Sequence, residues 1–348
     1  MFTPDYRNVV NAAYNKKSSR IPLYEHIISP KIMESILGEQ FAELYNGDYK
    51  DKLEFFRHYS KFFIKAGYDT VSFECCVGPV MPGSGALGNH KEGVIKTRSD
   101  FETYPWDSIP DLYFKEYRDF FRALGEVMPQ GMKGIGGVGN GIFECVQDVV
   151  GFQELCYIKS DDEELYNALF AKVGNLLAAI WERFLEEFGA LYCVCRMGDD
   201  LGFKSNTLID ADDIRRLIIP QYRKVIDLVH AKGKPFLFHS CGCIFNVMDD
   251  IIKGAGIDAK HSNEDVISPY SRWIDEYGDR IGNFGGLDTD VLCDSSSVDV
   301  AAYTTDVYRL LEKKGHGAAI GSGNSIPDYV SPNRYSLMLD TIRKLRQT

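Results

Sequence analysis

Eight short β-prone runs, separated by helical patterns, constrain this chain more than any other feature. The runs are 21–27, 69–74, 132–138, 191–195, 235–239, 257–261, 281–286 and 317–321. Amphipathic helical patterns follow over 31–37, 52–66, 113–127, 143–158, 212–231, 298–314 and a last segment from Ser331-Pro332 to about 345. Ser160-Asp161-Asp162-Glu163 reads as a capping box with Ser160 as N-cap. It opens a long helix with Leu165, Leu169, Leu176, Leu177, Ile180 and Phe184 on one stripe. Pro220 is expected to interrupt the helix over 212–231, and Ser268-Pro269 to open another with Pro at its first position. Strands that alternate with helices build a parallel sheet, and eight β/α units close most simply into a (β/α)8 TIM barrel. The 348 residues exceed the roughly 250 typical of that fold. The surplus fits an N-terminal helical extension over 1–20 and a long Gly/Pro-rich loop over 76–98, and the chain, 1–348, reads as a single domain. No glycine cluster matches G-x-G-x-x-G between strand and helix, which argues against an open doubly wound sheet.

Charge and cysteine usage bound the partners. Lys+Arg 39 against Asp+Glu 50 gives a net charge of −11. A surface of that sign repels phosphate backbones and anionic membranes, so nucleic acid is not an expected partner. No apolar run approaches a membrane span. The first residues, Met1-Phe2-Thr3-Pro4-Asp5, lack the charged lead and apolar core of a signal peptide, so a cytoplasmic protein is expected. The nine cysteines are an odd number and lie mostly in apolar, strand-like segments. That pattern suits reduced thiols, with metal ligation open to some of them, rather than a disulfide framework.

In a barrel the active site forms where the strands end at their C-terminal face. Those ends are polar here: Glu25-His26, Glu74-Cys75-Cys76, Asp199-Asp200, His239-Ser240-Cys241, His261 to Asp265, Asp288-Thr289-Asp290 and Ser322 to Ser325. Random surface chemistry would scatter such groups onto helix faces as well, so their collection at one rim argues for an enzyme. Residues two apart on a strand share a face, so His239 and Cys241 project together. An imidazole beside a thiol is half of a zinc site. Two packed core residues fit equally well on this pair alone, because zinc needs at least three protein ligands. Adjacent carboxylates at a strand end point opposite ways, so at most one of Asp199 and Asp200 faces the pocket, and either could cap a turn instead. Asp199, Asp200 and Asn324 are the candidate catalytic residues. Glu25, His26, Glu74 and Asp288 are the candidate substrate-binding residues. Cys75, Cys76, Cys193 and Cys195 read as core or supporting residues.

Five stretches occur in one order: Gly198-Asp199-Asp200-Leu201-Gly202, His239-Ser240-Cys241-Gly242, His261-Ser262-Asn263-Glu264-Asp265, Gly285-Gly286-Leu287-Asp288 and Gly321-Ser322-Gly323-Asn324-Ser325-Ile326-Pro327. Together they resemble the uroporphyrinogen decarboxylase (URO-D) superfamily, essentially end to end. The resemblance implies a (β/α)8 barrel, in agreement with the strand count. It also offers two branches, the true decarboxylases and the cobamide-dependent methyltransferases. The decarboxylases carry an Arg-rich N-terminal segment of the type R-Q-A-G-R-Y that binds the substrate's carboxylates. The corresponding region here is Arg20-Ile21-Pro22-Leu23-Tyr24-Glu25-His26, with an acid in place of the guanidinium forks, which disfavours porphyrin decarboxylation. The methyltransferase branch is similar through H-x-C, where His and Cys bind zinc with a second Cys in a Gly-Cys-Gly context. That position here is Gly321-Ser322-Gly323, and serine is a poor zinc ligand. Glu264 is the neighbouring candidate for a third ligand, ahead of Cys243, Cys195 and Glu74.

The resemblance thus implies a zinc-dependent methyltransferase. It would move a methyl group between a small methylated or methoxylated substrate, or a thiol, and a corrinoid (cobalamin) protein. His239, Cys241 and Glu264 would bind the metal, and Asp199 or Asp200 would orient or protonate the leaving group. No corrinoid-binding segment of D-x-H-x-x-G type is present, so the corrinoid would arrive on a partner. The superfamily often dimerises, which makes a homodimer the implied assembly. Two other readings stand beside it. One is a metal-free decarboxylase-like lyase using the same acids. The other is a non-catalytic binding barrel, supported by Ser322 in place of Cys.

Overall fold

Seven parallel strands, taken in chain order, pair each with the next in a single sheet of the computed structural model: β1 Val71–Cys76, β2 Gly134–Gly139, β3 Tyr192–Gly198, β4 Phe236–His239, β5 Ala259–His261, β6 Gly282–Leu287 and β7 Ala318–Ser322. The structure describes residues 2–88 and 91–347, so part of the expected 76–98 loop lies outside the described residues. Helices follow the strands, including Ile109–Val127, Ile142–Val150, Glu163–Glu187, Ile219–Ala231, Val300–Lys314 and Pro332–Leu345. This is an α/β fold whose parallel strands form an incomplete barrel.

The expected first strand over 21–27 is reduced to bridges. Leu23 pairs with Ile320 and Ile28 with Ile326, both parallel, which places the segment beside β7. Pro22 has no N–H and gives only its carbonyl, to Ile320 N at 2.9 Å. Toward β1 the link is a side chain, Ser72 Oγ donating to the His26 carbonyl at 2.6 Å. The barrel is therefore not closed by a continuous backbone ladder.

Four local expectations are corrected. The helix expected over 143–158 is two, Ile142–Val150 and Phe152–Asp161, broken at Gly151 with φ 85°. Ser160 caps nothing; it lies inside the second of these, and Asp162 caps the long helix by accepting from Leu165 N at 3.0 Å. A carboxylate is the stronger acceptor at the positive end of a helix. Pro220 does not break its helix: a π-type turn over Ile214–Ile218 runs straight into Ile219–Ala231. Pro269 precedes its helix as the N-cap instead of occupying the first turn.

The inner face of the barrel is layered. Tyr24, Ile135, Val194, Leu237, Ala259, Phe284 and Ala319 form one buried apolar cluster with Val9, Ala12 and Ala13 of the helix Arg7–Ala13. That helix plugs the lower end of the barrel, against β3, β6 and β7. Moving two residues along each strand keeps the same face. Tyr24 leads to His26, Val194 to Arg196, Leu237 to His239 and Ala259 to His261. One apolar layer thus carries a polar layer directly above it.

Candidate active site at the strand ends

The polar layer is buried and built around Arg196, whose side chain has no solvent exposure. Its guanidinium reaches Glu74 through Nε at 2.8 Å and Nη2 at 2.7 Å. It also donates to Ser72 Oγ at 2.7 Å and to the Tyr24 hydroxyl at 3.1 Å. Burial works against the cation, but Glu74 and Tyr24 beside it hold it charged. The His26 ring stacks on His239 with centroids 3.8 Å apart and 12° between planes, and its Nε2 lies 3.8 Å from Glu74. Burial, reinforced by neighbouring cations and imidazoles, keeps His26, His239 and His261 neutral.

Two clusters have ligand atoms close enough to share a cation: His26, His239 and His261, and Asp200, His239 and Cys241. The first is occupied by a hydrogen bond. His239 Nδ1 and His261 Nδ1 are 2.7 Å apart, a hydrogen bond. Two nitrogens on one tetrahedral zinc would sit about 3.3 Å apart, given Zn–N near 2.0–2.1 Å.

The second cluster has the right character. His261 Nε2 is 3.0 Å from the Ser322 carbonyl, which can only accept. The hydrogen-bond network therefore assigns the His261 proton to Nε2 and the shared one to His239 Nδ1. His239 Nε2 is left with a bare lone pair, 3.4 Å from Cys241 Sγ and 3.7 Å from Asp200 Oδ1. An imidazole nitrogen, a thiol and a carboxylate on a half-open rim are an acceptable donor set for zinc. Asp200 is held in place by the Cys241 N–H at 2.8 Å. Asn324 Nδ2 donates to the Cys241 sulfur at 3.2 Å, and Ser262 Oγ lies 3.7 Å from it. Burial first, then Asp200, pushes the Cys241 thiol up, so a cation is what would ionise it.

The expected site residues separate into two groups. His239, Cys241, Asp200 and Asn324 converge. The carboxylate that completes the trio is Asp200, in place of the expected Glu264, which accepts from Gly242 N at 3.4 Å. Asp199 turns the other way. It accepts from Phe143 N and Glu144 N, both at 2.9 Å, and from the Tyr222 hydroxyl, capping the helix Ile142–Val150. Burial raises its pKa to about 6, with Tyr222 opposing. Asp288 pins a loop, taking Asp265 N at 2.6 Å and Asp290 N at 2.8 Å. Glu74 and His26 belong to the layer beneath. Glu25 is wholly enclosed, with Ser322 N at 3.1 Å and the Ser322 hydroxyl against its carboxyl group, and burial lifts its pKa to about 8. Ser322 thus serves Glu25.

Sequence reasoning gave no role to Arg196, His261, Glu144 or Tyr222. Arg196 carried a signal, a charge two residues beyond Val194 in a buried strand. Glu144 lies in the first turn of a helix entered straight from β2. Its carboxyl accepts from Asp200 N at 3.3 Å and from Asn140 Nδ2 at 2.9 Å. Burial, then Asp199 and Asp200, keeps it protonated well above the usual range. Nothing local in the sequence reveals Tyr222.

A family model described as uroporphyrinogen decarboxylase (URO-D) matches residues 89–345. A comparison with curated proteins finds no significant match. Among solved structures, a methyltransferase from Methanosarcina mazei aligns over 99% of this chain and 99% of its own, with a TM-score of 0.71 and 13% identity, a likeness of fold. A glycoside hydrolase family 5 enzyme from Prevotella bryantii B14 aligns over 83% of this chain and 85% of its own, with a TM-score of 0.46 and 11% identity. That last likeness is too loose to bear on function. No helix among the described residues is long and apolar enough to cross a membrane.

Proposed function

The chain belongs to the uroporphyrinogen decarboxylase family, and we propose that within it the protein is a zinc-dependent methyltransferase on a (β/α)8 barrel. The methyl group would pass between a small methylated or methoxylated substrate, or a thiol, and a corrinoid carried by a partner protein. The observation that carries this reading is the convergence of His239 Nε2, Cys241 Sγ and Asp200 Oδ1 at the strand ends. These three would hold the zinc. Zinc bound there supplies a Lewis acid for the substrate's heteroatom, or keeps a thiolate ionised at neutral pH.

The surrounding residues prepare that site. Asn324 steadies the Cys241 sulfur with its amide N–H. Glu144, protonated and hydrogen-bonded to the Asp200 backbone, is a proton donor at the rim for a departing amine, alkoxide or thiolate. Glu264 guards the opposite side of the Cys241–Gly242 turn. Porphyrin decarboxylation finds less support. Arg20 is engaged with Asp69, and Arg196 is buried against Glu74, so neither is free to bind a polycarboxylate.

The test is the metal content of purified protein beside Cys241→Ala, by elemental mass spectrometry after dialysis, together with methyl transfer to a reduced corrinoid. About one zinc per chain, lost in the variant, with transfer from a methyl donor, is the expected result. Wild-type protein that takes up no zinc when it is supplied would overturn the zinc mechanism and leave a metal-free lyase.

A further inference from the structure

We propose that His261 is a positioning residue: it fixes the ring tautomer of His239 and so keeps His239 Nε2 unprotonated toward Cys241 and Asp200. The inference rests on the reading above for its purpose, but its geometry stands without any metal.

Counting protons fixes both tautomers. The Ser322 carbonyl is 3.0 Å from His261 Nε2 and has no proton to give, so that nitrogen must carry one. A neutral imidazole has a single N–H, which leaves His261 Nδ1 as an acceptor. The 2.7 Å contact between the two Nδ1 atoms then needs a proton from His239. Both rings are buried in a layer that already holds the Arg196 cation, which opposes a second proton on either. His239 Nε2 is thereby the lone-pair nitrogen. His26, stacked 3.8 Å away on the ring face, limits rotation of His239 out of this arrangement. The acceptor that begins the chain is itself anchored: the Ser322 N–H and hydroxyl meet Glu25. A fixed order therefore runs from Glu25 through Ser322 and His261 to the open nitrogen of His239. Ligating histidines commonly use their second nitrogen in this way, and losing such a partner typically weakens metal binding about 10–100-fold.

A His261 that merely fills space would leave the His239 tautomer to chance. Full-length protein labelled with 15N-histidine and stripped of metal with a chelator separates the two by long-range proton–nitrogen correlation spectra. The expected wild-type signal is His239 protonated at Nδ1. His261→Phe and His261→Gln should shift His239 toward Nε2–H and weaken zinc retention against a competing chelator roughly tenfold or more. His261→Asn, whose amide oxygen can take the place of Nδ1, should restore both. If His261→Phe does not fold, His261→Gln and the wild-type spectrum still decide. Wild-type His239 protonated at Nε2, or an unchanged tautomer in folded His261→Gln, would overturn the proposal. The predicted tautomer in a protein that never takes up zinc would uphold the positioning role and remove the zinc reading.

Discussion

Glu25→Gln should make the protein's stability far less dependent on pH. The carboxyl is fully enclosed, and burial outweighs the contacts from Ser322 and Tyr68 to bring its pKa to about 8, against 4.5 for the ordinary group. Between those two values the folded chain keeps a proton that the unfolded chain has released. Stability tied to Glu25 is therefore complete below about pH 4.5 and is lost as pH rises through 8. The slope is about 1.4 kcal/mol per pH unit, so about 3 kcal/mol disappears between pH 5.5 and 7.5. Glutamine reproduces the neutral acid: its oxygen takes the Ser322 N–H, and its amide donates to the Ser322 hydroxyl, whose own proton turns to the Asn324 carbonyl that it also touches. Urea unfolding of wild type and Glu25→Gln at half-unit pH steps from 5.5 to 8.5 reads the difference, in which all other titrating groups cancel. The variant's advantage should widen by about 3 kcal/mol between pH 5.5 and 7.5. Parallel curves across that range, or a wild type that gains on the variant, would refute the burial argument.

Four other outcomes follow from the geometry. Asp200→Ala should cut zinc retention against a chelator roughly tenfold or more, whereas Glu264→Gln should leave it within about twofold, as read by competition titration. Arg196→Met strands Glu74 inside the barrel and should cost about 3–5 kcal/mol in chemical denaturation. Combining it with Glu74→Gln should recover most of that loss. Asp199→Ala unpartners Phe143 N, Glu144 N and the Tyr222 hydroxyl and should cost about 2–4 kcal/mol while leaving zinc stoichiometry unchanged. Ser322→Cys, which places a thiol at the strand end, should not tighten zinc, because the side chain at 322 faces Glu25; a gain in affinity would show that the strand end reorients.

Much of the barrel was legible because its signal is periodic. Seven of the eight β-prone runs are strands displaced by three residues or fewer from their expected ends. The eighth failed where Pro22 removes a donor, a local fact that hydrophobic patterning overlooks. Helix starts failed where two acceptors competed for one helix end, as with Ser160 and Asp162. The pair His239 and Cys241 was readable because strand alternation is local. The choice of Asp200 over Glu264 was not, because it depends on how the turn at Cys241–Gly242 bends toward two different loops. That turn gives one N–H to each acid, Cys241 to Asp200 at 2.8 Å and Gly242 to Glu264 at 3.4 Å.

The departure at Ser322 is the most instructive of these. Seen as a missing cysteine it suggests a decayed site. In the fold, Ser322 and Glu25 form a pair, an enclosed acid and the hydroxyl that touches it. Each supports the other. An enclosed carboxyl group needs a polar partner, and a buried hydroxyl without one costs about 1–3 kcal/mol. Together they satisfy each other and leave the Ser322 carbonyl facing His261 Nε2, the first step in the run of hydrogen bonds that reaches His239.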